Sequence, residues 1–202
     1  MAERERANNR ERILKAATSL FAQRGFAAVS QREIASAVGI KAASIYNHFQ
    51  SKDAILEEIV ETLSRGLRQH VEPAFVTDEL ISLRDYIHQI SNASDTFFAS
   101  PSNLELGIIV MREQFYNATV RRMLYEMMIV EPRKSMSAYF SRLMDAGMMR
   151  RGDPLFAAKE YHGYFVYEFY ENALSFGLGV DLSGRPQMAE AHTNRFIENW
   201  ER

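Results

Sequence analysis

Side chains that carry a positive charge or donate hydrogen bonds are concentrated in a short stretch near the amino end of the chain. Lys41, Ser44, Tyr46, Asn47 and His48 lie close together, and no acidic residue separates them. Ammonium and hydroxyl groups suit phosphate oxygens, whereas the amide of an asparagine suits the edge of a base. Positions 42 and 43 are both alanine, so a helix carrying them would be slim enough to enter a major groove. These residue types therefore indicate recognition of double-stranded DNA.

Two helical segments joined by a glycine are needed to position those side chains. Ser30 and Glu33 have the spacing of a capping box, in which each side chain bonds a free backbone N–H at the start of a helix. Gly39 can adopt the left-handed backbone that ends this helix. A second apolar-periodic segment runs from Ile40 to Phe49. The pattern predicts a helix-turn-helix, a geometry that also occurs in proteins that never bind DNA.

This stretch resembles the DNA-binding region of the tetracycline-repressor (TetR) family. The resemblance covers the first quarter of the chain, and its most diagnostic part is Tyr-x-His-Phe-x-x-Lys, from Tyr46 to Lys52. Two positions depart from the family pattern: Lys41 stands where a capping Ser or Thr is common, and Ala43 where Gly is common. We expect Lys41 to weaken the helix cap while adding a cation beside the DNA.

The resemblance implies a ligand-responsive transcriptional regulator, most simply a repressor, that binds a pseudo-palindromic operator as a homodimer and is released by a small apolar or aromatic effector. It implies no enzymatic activity, cofactor, metal or membrane partner. The predicted DNA contacts are Ser30, Gln31, Lys41, Ala42, Ala43, Ser44, Tyr46, Asn47, His48 and Lys52.

The distribution of charge supports this interpretation. The net charge of the whole chain is only -2, but residues 1–52 contain nine Lys or Arg against four Asp or Glu, and the remainder contains fifteen against twenty-two. A module that displaces counterions from phosphates should be basic, and the body attached to it should not be. The absence of cysteine, of a signal-peptide core and of any long apolar run favours a cytoplasmic protein.

Hydrophobic periodicity predicts an all-α protein: an N-terminal three-helix DNA-binding domain over residues 1–50, and a larger helical effector-binding and dimerisation domain over residues 51–202. The first helix is expected to begin near Asn8 or Asn9. Later helices are expected over about 78–98, 102–117 and 118–145, with a kink near Glu131 because Pro132 removes a backbone donor. Further helices should begin at Pro154 and near Pro186.

Two apolar stripes in the last third of the chain predict self-association. The segment from Tyr161 to Phe176 is apolar or aromatic on nearly every side of a helix, and the last helix carries such residues at spacings of four. A helix that is apolar all round needs neighbours on both faces, which either the chain's own core or a second copy could supply. The predicted dimer residues are Tyr167, Tyr170, Met188, His192, Phe196 and Trp200.

Methionine and aromatic residues are abundant between these regions and suit either a core or a ligand cavity. The candidates for an effector pocket are Tyr86, Phe115, Met127, Tyr164, Phe165 and Glu168. Two alternatives stay open at this point, a helical protein-interaction module and a small helical enzyme. The five histidines have no metal-binding spacing, and the chain lacks a nucleophile elbow, a phosphate-binding glycine loop and a dinucleotide fingerprint.

Overall fold

A computed structural model describes residues 2–175 and 185–202, and every regular element within those ranges is a helix. The elements are α1 (Ala2–Arg24), α2 (Gln31–Val38), α3 (Ala42–Ile45), α4 (Lys52–His70), α5 (Glu72–Phe75), α6 (Leu83–Phe98), α7 (Pro101–Glu113), α8 (Ala118–Tyr125), a π-helical segment (Glu126–Val130), α9 (Glu131–Asp145), α10 (Pro154–Ser175) and α11 (Arg185–Trp200). The predicted all-α class is confirmed. Phe176, the last residue of the predicted aromatic segment, lies outside the described residues.

The helices form two compact units. The first comprises Met1–Arg65 with Ala99–Met123, and the second comprises Gly66–Phe98 with Leu124–Arg202. Helix α4 therefore contributes residues to both units. The core of the first unit is built from apolar side chains of α1, α2, α3, α4 and α7, among them Ile13, Phe21, Ile34, Ile45, Ile55, Ile59, Ile108 and Ile109.

Aromatic rings dominate the core of the second unit. Tyr86 of α6 stacks on Tyr139 of α9 with ring centroids 3.9 Å apart, and its hydroxyl donates to the Phe75 carbonyl at 2.9 Å. Tyr161 of α10 packs against Phe196 of α11 at 5.0 Å, and the oxygens of Tyr161 and Ser91 are hydrogen-bonded at 2.7 Å. Burial raises the pKa of Tyr161 to about 12. These tyrosines are therefore core residues with satisfied hydroxyls.

The predicted caps of α2 are present, and α4 and α10 also begin with local caps. Ser30 and Glu33 form the reciprocal capping box of α2, and Gly39 ends that helix with φ 76°. The Ser51 hydroxyl accepts from the Ala54 N–H at 3.0 Å at the start of α4. Asp153 accepts from the Leu155 N–H at 2.8 Å, directly before Pro154 opens α10. Because each cap satisfies donors within its own turn, sequence alone could locate it.

Several predicted boundaries were wrong. Helix α1 begins at Ala2 rather than near Asn8, because the Ala-Glu-Arg-Glu-Arg run consists of good helix formers with acids in the first turn. Helix α6 begins at Leu83, where the Ser82 hydroxyl caps the Asp85 N–H at 3.0 Å. Helix α7 spans Pro101–Glu113 and stops four residues before the predicted end at Asn117.

The predicted interruption near Glu131 is confirmed, and it takes the form of a π-helical segment. Residues Glu126–Val130 connect α8 to α9, and Pro132 occupies the first turn of α9. A proline cannot donate to the preceding turn, so one extra residue is accommodated there. None of the five π-helical residues is fully buried.

Two backbone hydrogen bonds join the end of α11 to the connection between α9 and α10. Arg150 N–H donates to the Trp200 carbonyl at 2.8 Å, and Arg202 N–H donates to the Met148 carbonyl at 3.2 Å. A Cβ atom placed on Gly152 would lie 2.8 Å from the Trp200 ring, so the indole packs directly on glycine backbone. Across the described ranges, no helix has the length and apolar character required to cross a bilayer.

Candidate nucleic-acid interface

The recognition helix α3 has only four residues and is held by packing rather than by its own hydrogen bonds. Ile45 is fully buried, and Phe49, in the turn that follows, is only 4% exposed. Lys41 at the N-cap makes no side-chain cap hydrogen bond. The side-chain bond that a capping Ser or Thr could make is therefore missing, and a weaker cap stays a prediction. An isolated helix of this length would not be stable in water, so its orientation comes from its neighbours.

The opposite face of α3 and its following turn presents most of the predicted DNA contacts to solvent. Lys41, Ala43 and Asn47 are exposed, and the Tyr46 ring is 59% exposed. Ala42, Ser44 and His48 are half-buried at the edge of this face, and Ser30 is exposed at the start of α2. The face is cationic at Lys41 and free of acidic groups, as a phosphate-facing surface should be.

Two side chains at the margin of this face have buried nitrogen atoms with no hydrogen-bond partner in the described structure. They are Nε2 of Gln31, in the first turn of α2, and Nδ1 of His48. A buried polar atom without a partner costs free energy unless a ligand supplies one. Both residues were predicted as DNA contacts, and both retain hydrogen-bonding capacity.

Arginines of α1 fix the angle at which α2 and α3 are held. Arg12 donates to the Val38 carbonyl at 2.6 Å, at the end of α2. Arg10 pairs with Glu58 of α4 at 2.7 Å and lies 4.8 Å from the centre of the Phe49 ring. The Arg10 ion pair lowers the pKa of Glu58. Part of the basic charge found by sequence analysis is thus used to hold the helices together.

Lys52, predicted to contact phosphate, is directed at the chain's own backbone. Its Nζ donates to the Phe26 carbonyl at 2.8 Å and to the Val29 carbonyl at 2.9 Å, and it lies 4.3 Å from the centre of the Phe26 ring. These bonds secure the connection between α1 and α2. A direct phosphate contact by Lys52 stays a prediction, and its observed role is structural.

Two residues at the end of α7 form hydrogen bonds with the end of α1 and the connection between α1 and α2. Arg112 donates to the Ala22 carbonyl at 2.6 Å, and the Glu113 carboxylate accepts from the Phe26 N–H. Burial raises the pKa of Glu113, although the Phe26 bond and the nearby Lys52 and Arg112 act in the opposite direction. Sequence analysis missed this role because α7 lies about fifty residues beyond the helix-turn-helix, and no local signal links the two.

Sequence analysis also missed Arg32, an exposed cation in the first turn of α2 beside Gln31. Arg24, by contrast, is paired with Glu33 at 2.7 Å and also donates to the Ala28 carbonyl at 3.1 Å. The charge balance of the region indicated basic character but could not separate exposed cations from paired ones. We add Arg32 to the candidate phosphate contacts.

The predicted effector-pocket residues do not form one cluster. Tyr86 is a core residue with its ring and hydroxyl fully engaged, and Phe115 belongs to the first unit with its side chain 68% exposed. Tyr164 and Phe165 lie together on α10, where Tyr164 stacks on His192 at 4.5 Å. Met127 is half-buried in the π-helical segment, and Glu168 is half-buried on α10. Of the six, Tyr86 and Phe115 are the two that we no longer assign to a pocket.

The predicted dimer residues divide into an exposed group and a packed group. Tyr167, Tyr170 and Met188 are 64%, 37% and 62% exposed. Phe196 is buried in the core of its own chain, His192 bonds the Tyr161 carbonyl at 3.0 Å, and Trp200 donates to Glu160 at 3.0 Å. The stripe on α11 therefore packs mainly on the chain's own core, as the alternative explanation required, and little of it is left for a second copy.

The capping box predicts a pH dependence of stability. Bonds from the Ser30 backbone and hydroxyl, followed by the Arg24 ion pair, lower the pKa of Glu33 to about 2. Because the folded-state pKa lies below the unfolded value, the contribution of this carboxylate is complete above the unfolded pKa and is lost as the pH falls through about 2. As the pH falls from the unfolded pKa of Glu33 to about 2, the free energy of unfolding of Glu33→Gln should therefore decrease less than that of the wild type. Urea unfolding at stepped pH values measures this, and parallel curves would contradict it.

The Lys52 contacts predict a structural defect on substitution. Lys52→Met should lower the free energy of unfolding by about 1 to 3 kcal/mol, because two carbonyl groups lose a charged donor. The matched control is Lys15→Met, since Lys15 is an exposed cation on α1. Denaturant unfolding of both variants provides the comparison. Equal stabilities for the two variants would show that the Lys52 bonds contribute nothing.

Comparison with known proteins is consistent with this geometry. Residues 13–59 match the profile described as bacterial regulatory proteins of the tetR family, and residues 86–195 match the profile described as the AefR-like transcriptional repressor C-terminal domain. A segment of 54 residues is 41% identical to the HTH-type transcriptional repressor KstR2 of Mycolicibacterium smegmatis. That segment covers 27% of this chain and 26% of the relative, so it compares only a quarter of either protein.

Two solved structures share the fold over nearly the whole chain. A TetR-family transcriptional regulator from Mesorhizobium loti superposes with a TM-score of 0.72 at 21% identity, covering 98% of both chains. The complex of SmeT, a repressor from Stenotrophomonas maltophilia, with triclosan has a TM-score of 0.73 at 21% identity, covering 96% of this chain and 92% of SmeT. Together, the two profile matches and the shared fold establish that this chain belongs to the TetR family of transcriptional regulators, which are not enzymes.

Proposed function

We propose that this protein is a ligand-responsive repressor that binds a pseudo-palindromic operator as a homodimer. In this proposal, residues 1–50 bind DNA, and residues 51–202 bind the effector and form the dimer. The observation that carries it is the exposed, acid-free face of α3, on which Tyr46 and Asn47 project beside Lys41 from a buried apolar base. Such a face, held rigidly by its neighbours, suits insertion into a major groove.

The proposed DNA contacts divide by chemistry. Lys41 and Arg32 supply charge to phosphates, and Ser44 supplies a hydroxyl donor. The Ser30 hydroxyl already donates to Glu33 at 2.8 Å, so a DNA contact by Ser30 would require that bond to be exchanged. Asn47 carries the amide that can bond a base edge in two places, and the methyl groups of Ala42 and Ala43 can meet a thymine methyl. Gln31 Nε2 and His48 Nδ1 lack partners in the described chain, but both atoms are buried, so a phosphate or base oxygen would reach them only after the two side chains turn outward.

A second copy of the chain would cover an exposed apolar surface on the last two long helices. This surface, which we call the α10–α11 apolar surface, comprises Phe156, Tyr167, Tyr170, Leu174 and Met188, with exposures between 37% and 75%. Gly163 lies on the same side of α10, and a Cβ atom built there would meet nothing within 4 Å. A glycine among aromatic residues allows another helix to approach closely. An isologous pairing through this surface would present two recognition helices to a two-fold operator.

Effector control would then be a shift in population. An effector that binds better to one arrangement of the dimer moves the equilibrium by its difference in affinity, and operator DNA must alter effector affinity by the same factor. SmeT, which shares this fold, has been solved in complex with triclosan. By analogy, we propose that the second unit of this protein binds a small apolar or aromatic effector.

Selection of DNA fragments from a random pool by the purified full chain tests the proposed function. The expected result is an enriched sequence with two-fold symmetry and half-sites about one helical turn apart, or a multiple of it. Retention on bulk DNA should fall steeply with salt, since phosphate contacts release counterions. A pool that shows no enrichment, together with flow-through at low salt, would overturn the proposal.

The division of contacts predicts two distinct mutant phenotypes. Asn47→Ala should cost about 1 to 3 kcal/mol on the selected operator and relax discrimination at one base position. Lys41→Ala should weaken binding to all sequences and reduce the salt slope by about 1. Fluorescence anisotropy on operator and scrambled DNA measures both. Lys159→Ala, which removes an exposed cation on α10, is the control and should change neither. If the Asn47 and Lys41 variants behave alike on both DNAs, the assigned roles are wrong.

The α10–α11 apolar surface predicts a dimerisation defect. Tyr167→Glu places a charge at the centre of the surface in both copies, so the dimer dissociation constant should rise at least about thirtyfold. Tyr167 is 64% exposed in the single chain, so its own fold should tolerate the change. Sedimentation velocity is the measurement, and Tyr116→Glu, at an 89% exposed site in the first unit, is the control. An unchanged dimer in the Tyr167 variant would exclude this surface.

A further inference from the structure

Two buried nitrogen atoms in the second unit lack hydrogen-bond partners in the described part of the chain. They are Nε of Arg133, in the first turn of α9, and Nδ1 of His162 on α10. Arg133 is also not one of the residues that form ion pairs across the described ranges. A guanidinium is always charged, and burying part of it without an acceptor is costly. Such an atom calls for a partner that the described part of the chain does not supply.

The two side chains lie on α9 and α10, two helices that pack against each other. Burial, followed by the positive charge of Arg133, lowers the pKa of His162 to about 4. His162 is therefore neutral at physiological pH, and its ring can carry the proton on Nδ1 and act as a donor. Arg133 and His162 together offer two donors and one positive charge. An anionic oxygen is the group that would satisfy both.

The surroundings of the pair suit the organic part of a ligand. Phe165 lies one turn from His162 on α10 and contacts the Tyr161 ring at 5.1 Å between centroids. The π-helical segment ends three residues before Arg133, and its Met127, Met128, Ile129 and Val130 are only half-buried. Methionine side chains adapt easily to a guest, and π-helical turns occur frequently at functional sites. This segment is where a ligand could displace protein side chains to reach the two donors.

We infer that Arg133 and His162 bind the carboxylate of an organic acid, whose apolar part packs against Phe165 and the π-helical segment. This inference rests on the proposed function, because it specifies the chemical class of the effector. Arg133 Nε–H and the His162 Nδ1–H each donate to a carboxylate oxygen. The ligand supplies acceptors that these two nitrogens lack among residues 2–175 and 185–202, so its affinity depends on the charge as well as on apolar contact.

A purely structural role and an anion-binding role for Arg133 and His162 predict opposite effects of their substitution on the stability of the ligand-free protein. If Arg133 and His162 served only to stabilise the fold, replacing them would destabilise it. As a preformed anion site, they cost stability when empty, because two buried donors are left unpaired. Arg133→Met and His162→Phe should therefore melt a few degrees above the wild type in the absence of ligand. Lys134→Met and His88→Phe are matched controls at exposed positions, and should melt with the wild type.

Ligand binding is tested by thermal unfolding of the full chain with paired probes. The probes are benzoate, phenylacetate and octanoate, each compared with its uncharged amide. At least one acid should raise the melting temperature of the wild type and of both control variants, and its amide should not. Arg133→Met should bind that acid about 10- to 100-fold more weakly, as expected when a charge-assisted bond is lost.

Several outcomes would overturn the inference. It fails if no acid stabilises the wild type, if acids and amides act equally, or if Arg133→Met retains the full response. It also fails if both ligand-free variants melt well below the wild type. Its failure can be distinguished from failure of the proposed function, because the melting assay contains no DNA. Selection of an operator without acid binding would overturn only the anion site, whereas acid binding without DNA selection would overturn only the proposed repressor.

Discussion

The recognition helix is too short to be stable by itself, and this constraint explains much of the first unit. Helix α3 has four residues and no side-chain cap, so its direction is set by the burial of Ile45 and Phe49. Arg12 then holds the end of α2, and Lys52 holds the connection before it. A helix positioned in this way can present the face opposite Ile45 to solvent, where Lys41, Ala43, Tyr46 and Asn47 are exposed. An exposed face is what entry into a DNA groove requires.

The need to hold α3 in place also explains where several of the basic side chains are used. Several cations that a charge count would assign to DNA are occupied within the protein: Arg10 with Glu58, Arg24 with Glu33, and Lys52 with backbone carbonyls. Charged side chains that bond carbonyls or carboxylates at 2.6 to 2.9 Å position the helices, whereas Lys41 and Arg32 are exposed and are the cations that we propose for phosphate contacts. In this proposal, attraction to DNA and support of the motif come from different basic residues of the first unit.

The second unit shows a comparable division among its aromatic residues. Tyr86, Tyr161 and Phe196 are buried and form a core in which each tyrosine hydroxyl has a partner. Tyr167 and Leu174 project outward from α10. Arg133 and His162 are an exception to the general satisfaction of polar groups, since each has a buried nitrogen without a partner in the described structure. Departures from complete hydrogen bonding are informative because they are costly.

Sequence by itself determined the features whose causes are local. The capping box at Ser30 and Glu33, the glycine turn at Gly39, the cap at Asp153 and the interruption before Pro132 each depend on residues within one or two turns, and all were predictable. The motif from Tyr46 to Lys52 was likewise sufficient to suggest the TetR family, which the profile matches later established.

Tertiary structure decided everything that depends on distant partners. Only the fold shows that Lys52 donates to the Phe26 and Val29 carbonyls. It also shows that Arg112 and Glu113 form hydrogen bonds near the connection between α1 and α2. Phe196 is likewise identified as a core residue only by its burial. Helical periodicity identifies the apolar side of a helix, but it cannot say whether that side meets the chain's own core or a second copy. Likewise, a lysine or arginine has the same sequence signature whether it contacts phosphate or a backbone carbonyl. The difference lies in which groups folding brings within hydrogen-bonding distance.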